Sequence, residues 1–200
     1  MPFPERLAIA SKNTHKLREL ERICRDWPVE WLTVQNHPKG PWPDVDEPHD
    51  TYLHNALEKA RVVAEVLGVP AIADDSGIEV DALDGGPGPR SARFAGEGAS
   101  DADNLAKLIG LLADVEPEAR TARYRCIAAI AWPDGRTMHA EGTCEGSLIM
   151  RPRGERGFGY DPVFVPLSER RTMAELRDQE KDAISHRGLA FRALAGILAR

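Results

Sequence analysis

The sequence predicts a mixed α/β fold: a mixed β-sheet with flanking helices, in two lobes around a central groove. Three observations carry this. Short apolar runs that end on polar or glycine residues alternate with segments of helical period through the first half of the chain. From Arg123 to Pro166, strand patterns follow one another with turns between them. A segment of helical period then closes the chain, so helices are available to cover a sheet. The length of 200 residues suffices for a core without disulfide or metal staples, and one domain over residues 1–200 is expected.

Taken in order, Leu7-Ala8-Ile9-Ala10 reads as a buried strand. The polar loop Ser11-Lys12-Asn13-Thr14-His15-Lys16 leads from it into a helix with Leu17, Leu20, Ile23 and Cys24 on one face. A short strand near Trp31 to Val34 precedes a Pro-, His- and Trp-rich loop that carries Asp44, Asp46 and Glu47. Asp50 or Thr51 can cap the next helix, whose apolar stripe (Leu53, Ala56, Leu57, Ala60, Val63, Ala64, Leu67) is stopped by Gly68 and Pro70. The apolar run Val69 to Ala73 ends at Asp74-Asp75-Ser76-Gly77, read as a turn. Ile78, Val80 and Ala82 then alternate with polar residues as a second, half-exposed strand.

The segment Gly85-Gly86-Pro87-Gly88-Pro89 forces a loop, and Ser100 with Asp103 makes a capping box for a helix bearing Leu105, Leu108, Leu111 and Leu112. Arg123 to Trp132 and Thr137 to Ala140 flank the hairpin turn Pro133-Asp134-Gly135-Arg136. Thr143 to Met150 reads as a further strand, and Pro162 to Pro166 as one fenced by prolines. Thr172 to Glu175 matches a capping box, and the closing helix carries Ile184, Leu189, Phe191, Leu194, Ile197 and Leu198.

A formal charge of −6 argues against a broad nucleic-acid footprint, so no nucleic-acid partner is expected. The odd number of cysteines, Cys24, Cys126 and Cys144, fits reduced thiols rather than a disulfide framework. No segment approaches the roughly 18 apolar residues of a membrane span, and the N-terminus lacks a signal-length apolar stretch. A cytoplasmic protein without a membrane partner is the expectation.

Four polar clusters carry candidate chemistry. In Ser11 to Lys16, Ser11, Asn13 and Thr14 offer side-chain donors and Lys12 and Lys16 offer charge for phosphates, without P-loop spacing. Read alone, the same stretch is also an ordinary polar helix start. Asp74 and Asp75, with Asp46 and Glu47 from the preceding loop, have the oxygen chemistry of a Mg²⁺ site and a proton acceptor. They serve equally as a solvated turn and a solvated loop. In Gly157-Phe158-Gly159-Tyr160-Asp161-Pro162, a ring between two glycines suits stacking on a flat ligand, or a hairpin with Phe158 folded inward. Lys181 and Ser185-His186-Arg187-Gly188 set cations at a helix start, where an anion or keto oxygen would complement them. Together these pieces describe a nucleotide site: cations for phosphates, acids for Mg²⁺, a ring for the base and donors for its edge.

These motifs, together with Pro87-Gly88 and Ser91-Ala92-Arg93 and in this order along nearly the whole chain, resemble the inosine triphosphate pyrophosphatase family. The resemblance implies an elongated two-lobed fold, a homodimer, and Mg²⁺-dependent hydrolysis of ITP, dITP and XTP to monophosphate and pyrophosphate. It places Ser11, Lys12, Asn13, Thr14, His15 and Lys16 on the triphosphate. It makes Asp75 the proton acceptor and a metal ligand with Glu47 and Asp46, and puts Ser76 on the substrate. Phe158 would stack on the purine with Gly159, Tyr160 and Asp161 completing that wall, and Lys181, His186 and Arg187 would reach the base. Two departures stand out: Lys12 occupies a position where glycine is usual, and Asp46-Glu47-Pro48-His49 replaces the family's Glu-Glu-Thr-Gly. A pyrophosphatase for modified pyrimidine triphosphates and a non-hydrolysing nucleotide sensor are the rival readings.

Overall fold

The computed structural model describes residues 3–37, 42–46 and 49–199. In chain order the elements are β1 (Arg6–Ile9), α1 (Thr14–Ile23), β2 (Glu30–Leu32), α2 (Tyr52–Leu67), β3 (Ala71–Val80), α3 (Asp101–Leu111), β4 (Thr121–Ala131), β5 (Thr137–Leu148), β6 (Phe164–Pro166), α4 (Asp178–Ile184) and α5 (His186–Leu198). The sheet order is β2-β1-β3-β4-β5-β6. Strand β1 is parallel to β2 and β3, with Ala8 opposite both Leu32 and Ala71, while β5 and β6 are antiparallel with Ser147 opposite Val165. The mixed α/β class read from the sequence is the one observed. Among the described residues, no helix is long and apolar enough to cross a membrane.

The chain divides into two compact units. The first takes in the chain up to Asp75, Cys126–Gly142 and everything from Arg187 on; the second is Ser76–Arg125 with Thr143–His186. In the first unit, strand alternation sorts side chains by size. Leu7, Ile9, Ile72, Cys126, Ala128 and Ile130 pack with Leu17, Leu20, Phe191, Leu194 and Leu198 of α1 and α5. The intervening Ala8, Ala10, Ala71, Ala73 and Ala131 pack with Ala60, Val63 and Ala64 of α2. Alanine on both surfaces of that second contact lets helix and strands approach closely. The second unit has its own core, in which Ile78, Val80, Leu108, Leu112, Tyr124, Phe164 and Met173 meet.

Local signals explain the helix ends. Asn13 caps α1, Thr51 caps α2, and Ser100 and Asp103 form a reciprocal capping box on α3. Gly68 closes α2 at φ 66°, a conformation glycine reaches without a Cβ penalty.

The structure corrects three element assignments. Asp74-Asp75-Ser76-Gly77 is no turn: it lies inside the ten-residue strand β3, because both faces of that strand are covered and its polar side chains find partners there. Gly77 is required instead for close approach, since a Cβ at this position would sit 2.1 Å from the Gly88 carbonyl oxygen. The two strands expected from Thr137 to Met150 are one, because the buried alternation Ala140, Gly142, Cys144, Gly146, Leu148 never loses phase. The closing helix is two helices, broken at Ser185 where the backbone turns extended (φ −68°, ψ 151°), so Ile184 belongs to α4 and not α5.

Candidate active site

In the first unit the Ser11 to Lys16 segment links β1 to α1. Asn13 turns its side chain back on the helix, its Oδ1 accepting from the backbone N–H groups of His15 at 2.9 Å and Lys16 at 3.2 Å. Ser11 Oγ accepts from the Asn13 N–H. Thr14 and His15 are exposed on the first turn, and half-exposed Lys12 pairs with Asp44. Lys16 points inward, its Nζ 3.2 Å from Asp74 Oδ2.

Consecutive residues of a strand point to opposite faces, so β3 parts the acidic pair. Asp74 shares the α1/α5 face with Ile72. Its Oδ2 accepts from Arg187 Nε at 3.2 Å and Nη2 at 2.9 Å, while Arg187 Nη1 pairs with Glu19 of α1. Burial would raise the Asp74 pKa, but Arg187, Lys16 and Lys59 outweigh it and hold this carboxyl well below the usual range. Burial pulls the Arg187 pKa down, and Asp74 and Glu19 more than restore it. Asp75 faces α2, where Asn55 Nδ2 donates to Oδ2 at 3.0 Å and Lys59 Nζ lies 3.8 Å from Oδ1. Asn55 and Lys59 are four residues apart and so share one helical face. Asn55 also gives Nδ2 to the His49 carbonyl and accepts from the His49 N–H, at 3.0 and 3.1 Å.

Among the described residues, no three His, Cys, Asp or Glu side chains gather into a metal-holding group. Asp46 is exposed, and Glu47 lies outside the described residues. Mg²⁺ commonly takes one or two protein carboxylates and completes its shell with water and phosphate oxygens. The hard oxygen donor Asp75 fits that chemistry.

In the second unit Ser76 is half-buried on β3, and the Gly157 to Asp161 turn is organised by a carboxylate. Asp161 Oδ2 accepts from the Phe158 N–H at 3.0 Å and from Lys181 Nζ at 2.6 Å; Oδ1 accepts from the Tyr124 hydroxyl at 3.3 Å. Lys181 Nζ sits 5.2 Å from the centre of the Phe158 ring. Gly157 makes room for this carboxylate at φ 75°, while the Gly159 N–H binds Asp101 at 2.9 Å. Tyr160 is buried, and its hydroxyl donates to the Ser91 carbonyl at 2.8 Å. Burial raises the Tyr160 pKa, so it stays neutral. His186 opens α5 with its ring flat against Tyr124, centroids 4.6 Å apart and planes 9° from parallel.

Residues 7–197 match the sequence profile of the Ham1 family. The chain belongs to the Ham1 family. It is 45% identical to the dITP/XTP pyrophosphatase of Desulforamulus reducens over 98% of this chain and 96% of that one. It is 46% identical to the protein of the same name from Geobacter sulfurreducens over 94% of each. Among solved structures, a HAM1 protein from Coxiella burnetii superposes with a TM-score of 0.86 at 37% identity, covering 98% of this chain and 99% of that one. The nucleoside-triphosphatase / dITP/XTP pyrophosphatase from Mycobacterium abscessus gives 0.75 at 41% identity, covering 98% and 100%.

Four polar residues that the sequence reading passed over are built into this Ham1 chain. Glu19, Asn55 and Lys59 are buried on helix faces otherwise given to apolar side chains, and Tyr124 is buried on β4. The first three left a trace: a polar residue interrupting an apolar stripe at helical spacing. Tyr124 left none, because a tyrosine in a strand is ordinary core material.

Proposed function

We propose that the chain hydrolyses non-standard purine nucleoside triphosphates, ITP, dITP and XTP, to the monophosphate and pyrophosphate with Mg²⁺. A hydrolase acting on nucleoside triphosphates is what its Ham1 membership and its curated relatives' names support. The observation that carries the finer reading is the setting of Asp75: a buried carboxylate with an amide on one oxygen and an ammonium group near the other. A nucleotide sensor has no use for a base positioned in this way.

Asp75, with Asp46 and Glu47, would hold Mg²⁺, which when bound neutralises phosphate charge. Asp75 takes the proton from the attacking water, and Lys59 and Asn55 fix the direction of its lone pairs. Lys16 and Lys12 at the start of α1 receive the triphosphate, and Ser11, Asn13, Thr14 and His15 shape that turn. Ser76 touches the substrate. Phe158 stacks on the purine, Gly159 leaves its face open, and Tyr160 and Asp161 support the wall from behind.

Base choice falls to Lys181 and His186. Arg187 is placed on the base with them, and its Nε, Nη1 and Nη2 contacts to Asp74 and Glu19 also hold β3. Donors facing a 6-keto oxygen would meet the amino group of adenine, and each buried polar group left unpaired costs roughly 1–3 kcal/mol. The reading includes a homodimer in the cytoplasm.

The test is incubation with ITP, XTP, ATP, GTP and dUTP, with and without Mg²⁺, followed by separation of nucleotides and pyrophosphate. The expected products are IMP and XMP with equimolar pyrophosphate, only when Mg²⁺ is present, and little AMP. Orthophosphate with IDP would reject the bond assignment, and intact nucleotides throughout would favour the sensor.

A further inference from the structure

Tyr124 is buried on β4 in contact with two other aromatic rings. It packs at 54° against Phe164, centroids 4.7 Å apart, and flat against His186. Its hydroxyl reaches Asp161 Oδ1, and the other oxygen of that carboxylate holds Lys181 and the Phe158 backbone. One side chain is therefore linked to His186 directly, and to Lys181 and Phe158 through a single shared carboxylate.

We propose that Tyr124 is a positioning residue for substrate selection, setting the plane of the His186 ring and steadying the Asp161–Lys181 pair so that both donors meet a keto-purine. This rests on the assignment of His186, Lys181 and Phe158 to the base. The physical need is specific. The torsion that turns an imidazole about its Cβ–Cγ bond is broad, so a rotamer alone does not fix the ring plane. His186 is also the first residue of α5 and directly follows the break at Ser185, so helix supports it on its C-terminal side alone. A parallel ring at stacking distance supplies the missing constraint. Packing alone would be met by phenylalanine; the hydroxyl is explained by the carboxylate it reaches.

The experiment compares kcat and KM for ITP and ATP in wild type, Tyr124→Phe and Tyr124→Met, with Mg²⁺ saturating. Tyr124→Met conserves bulk but loses the flat face, and the ITP-to-ATP ratio of kcat/KM falls about tenfold, mainly through a raised KM for ITP. Tyr124→Phe keeps the stack and loses the hydroxyl, and KM for ITP rises about threefold. A merely structural role would lower kcat for both nucleotides by one factor and leave the ratio and both KM values unmoved, which overturns the inference. Tyr124→Phe reads the hydroxyl arm even where Tyr124→Met fails to fold, and an unchanged KM there overturns that arm. A wild type that hydrolyses ITP and ATP alike would overturn the base assignment itself. A selective wild type with an unaltered ratio in Tyr124→Met would overturn only the role of Tyr124.

Discussion

Arg187 reaches Asp74 across 113 residues of sequence, with Nε and Nη2 both donating to the same oxygen, Oδ2. Lys16 Nζ approaches that oxygen too, and the remaining arm of Arg187 takes Glu19. These two cations and two carboxylates meet in a buried cluster that ties α1, β3 and α5 together. Such a cluster is held by mutual satisfaction: once one partner is removed, a buried charge is left uncompensated.

Asp74→Asn is therefore expected to destabilise the protein by about 3–5 kcal/mol at pH 7. The pH dependence has a definite sign. The folded carboxyl titrates well below its unfolded value, so its stabilisation is complete above about pH 4 and is lost as the pH falls from there towards the folded pKa. The stability gap between wild type and variant should narrow below pH 4 by about 1.4 kcal/mol per pH unit. Denaturant unfolding at steps from pH 7 to pH 2.5 reads it directly, and a constant gap would rule the linkage out.

Asn55 is the hinge between the acidic loop and Asp75: both its amide hydrogens and its carbonyl oxygen are engaged with His49 and Asp75. Asn55→Ala strands three polar groups, and we expect a loss of about 1–3 kcal/mol in stability and about tenfold in kcat. Asn55→Asp is expected to be worse than alanine, because it sets a second carboxylate against Asp75. Thermal melts and steady-state rates on the two variants check the order, and an aspartate tolerated as well as asparagine would refute it.

Element existence was legible because hydrophobic period and caps are local: Leu17, Leu20 and Cys24 mark α1, and Ser100 with Asp103 marks the start of α3. The interior of β3 was not legible. Asp-Asp-Ser-Gly has turn chemistry, and only Arg187, Lys16, Asn55 and Lys59, all distant in sequence, make it tolerable as a buried strand. The same distance hid a second use of Arg187. Its charge and helix-start position point to a ligand donor, and its contacts with Asp74 and Glu19 add a hold on β3 and α1 that no local pattern announces. Phe158 was picked out by its flanking glycines, but the reason for Gly157 is different from open access to the ring, since its missing Cβ leaves space for Asp161.

That last point gives a contrast within one loop. A Cβ at Gly157 would lie 2.0 Å from Asp161 Oδ2, at φ 75°, while one at Gly159 meets nothing within 4 Å at φ 62°. Gly157→Ala displaces the carboxylate and takes the anchor from Lys181, so KM for ITP should rise about tenfold. Gly159→Ala adds only left-handed backbone strain, about 1–2 kcal/mol. Michaelis constants and melts for the pair separate the two effects, and equal KM values in both variants would remove Asp161 from base positioning.

Asp75→Asn tests the centre of the mechanism with the least disturbance. Asparagine has nearly the same shape, and its carbonyl can still accept from Asn55 Nδ2, so the fold should survive. It cannot take a proton from water, and it offers a neutral oxygen where Mg²⁺ prefers a carboxylate. We expect kcat for ITP to fall by about 10²- to 10⁴-fold. Equilibrium binding of ITP should persist, since the proposed contacts of Lys16, Phe158 and His186 with the nucleotide are untouched. Measuring turnover and binding on the same preparation makes the outcome decisive: retained turnover would move the proton acceptor elsewhere, and loss of binding with loss of turnover would make Asp75 a binding group rather than the base.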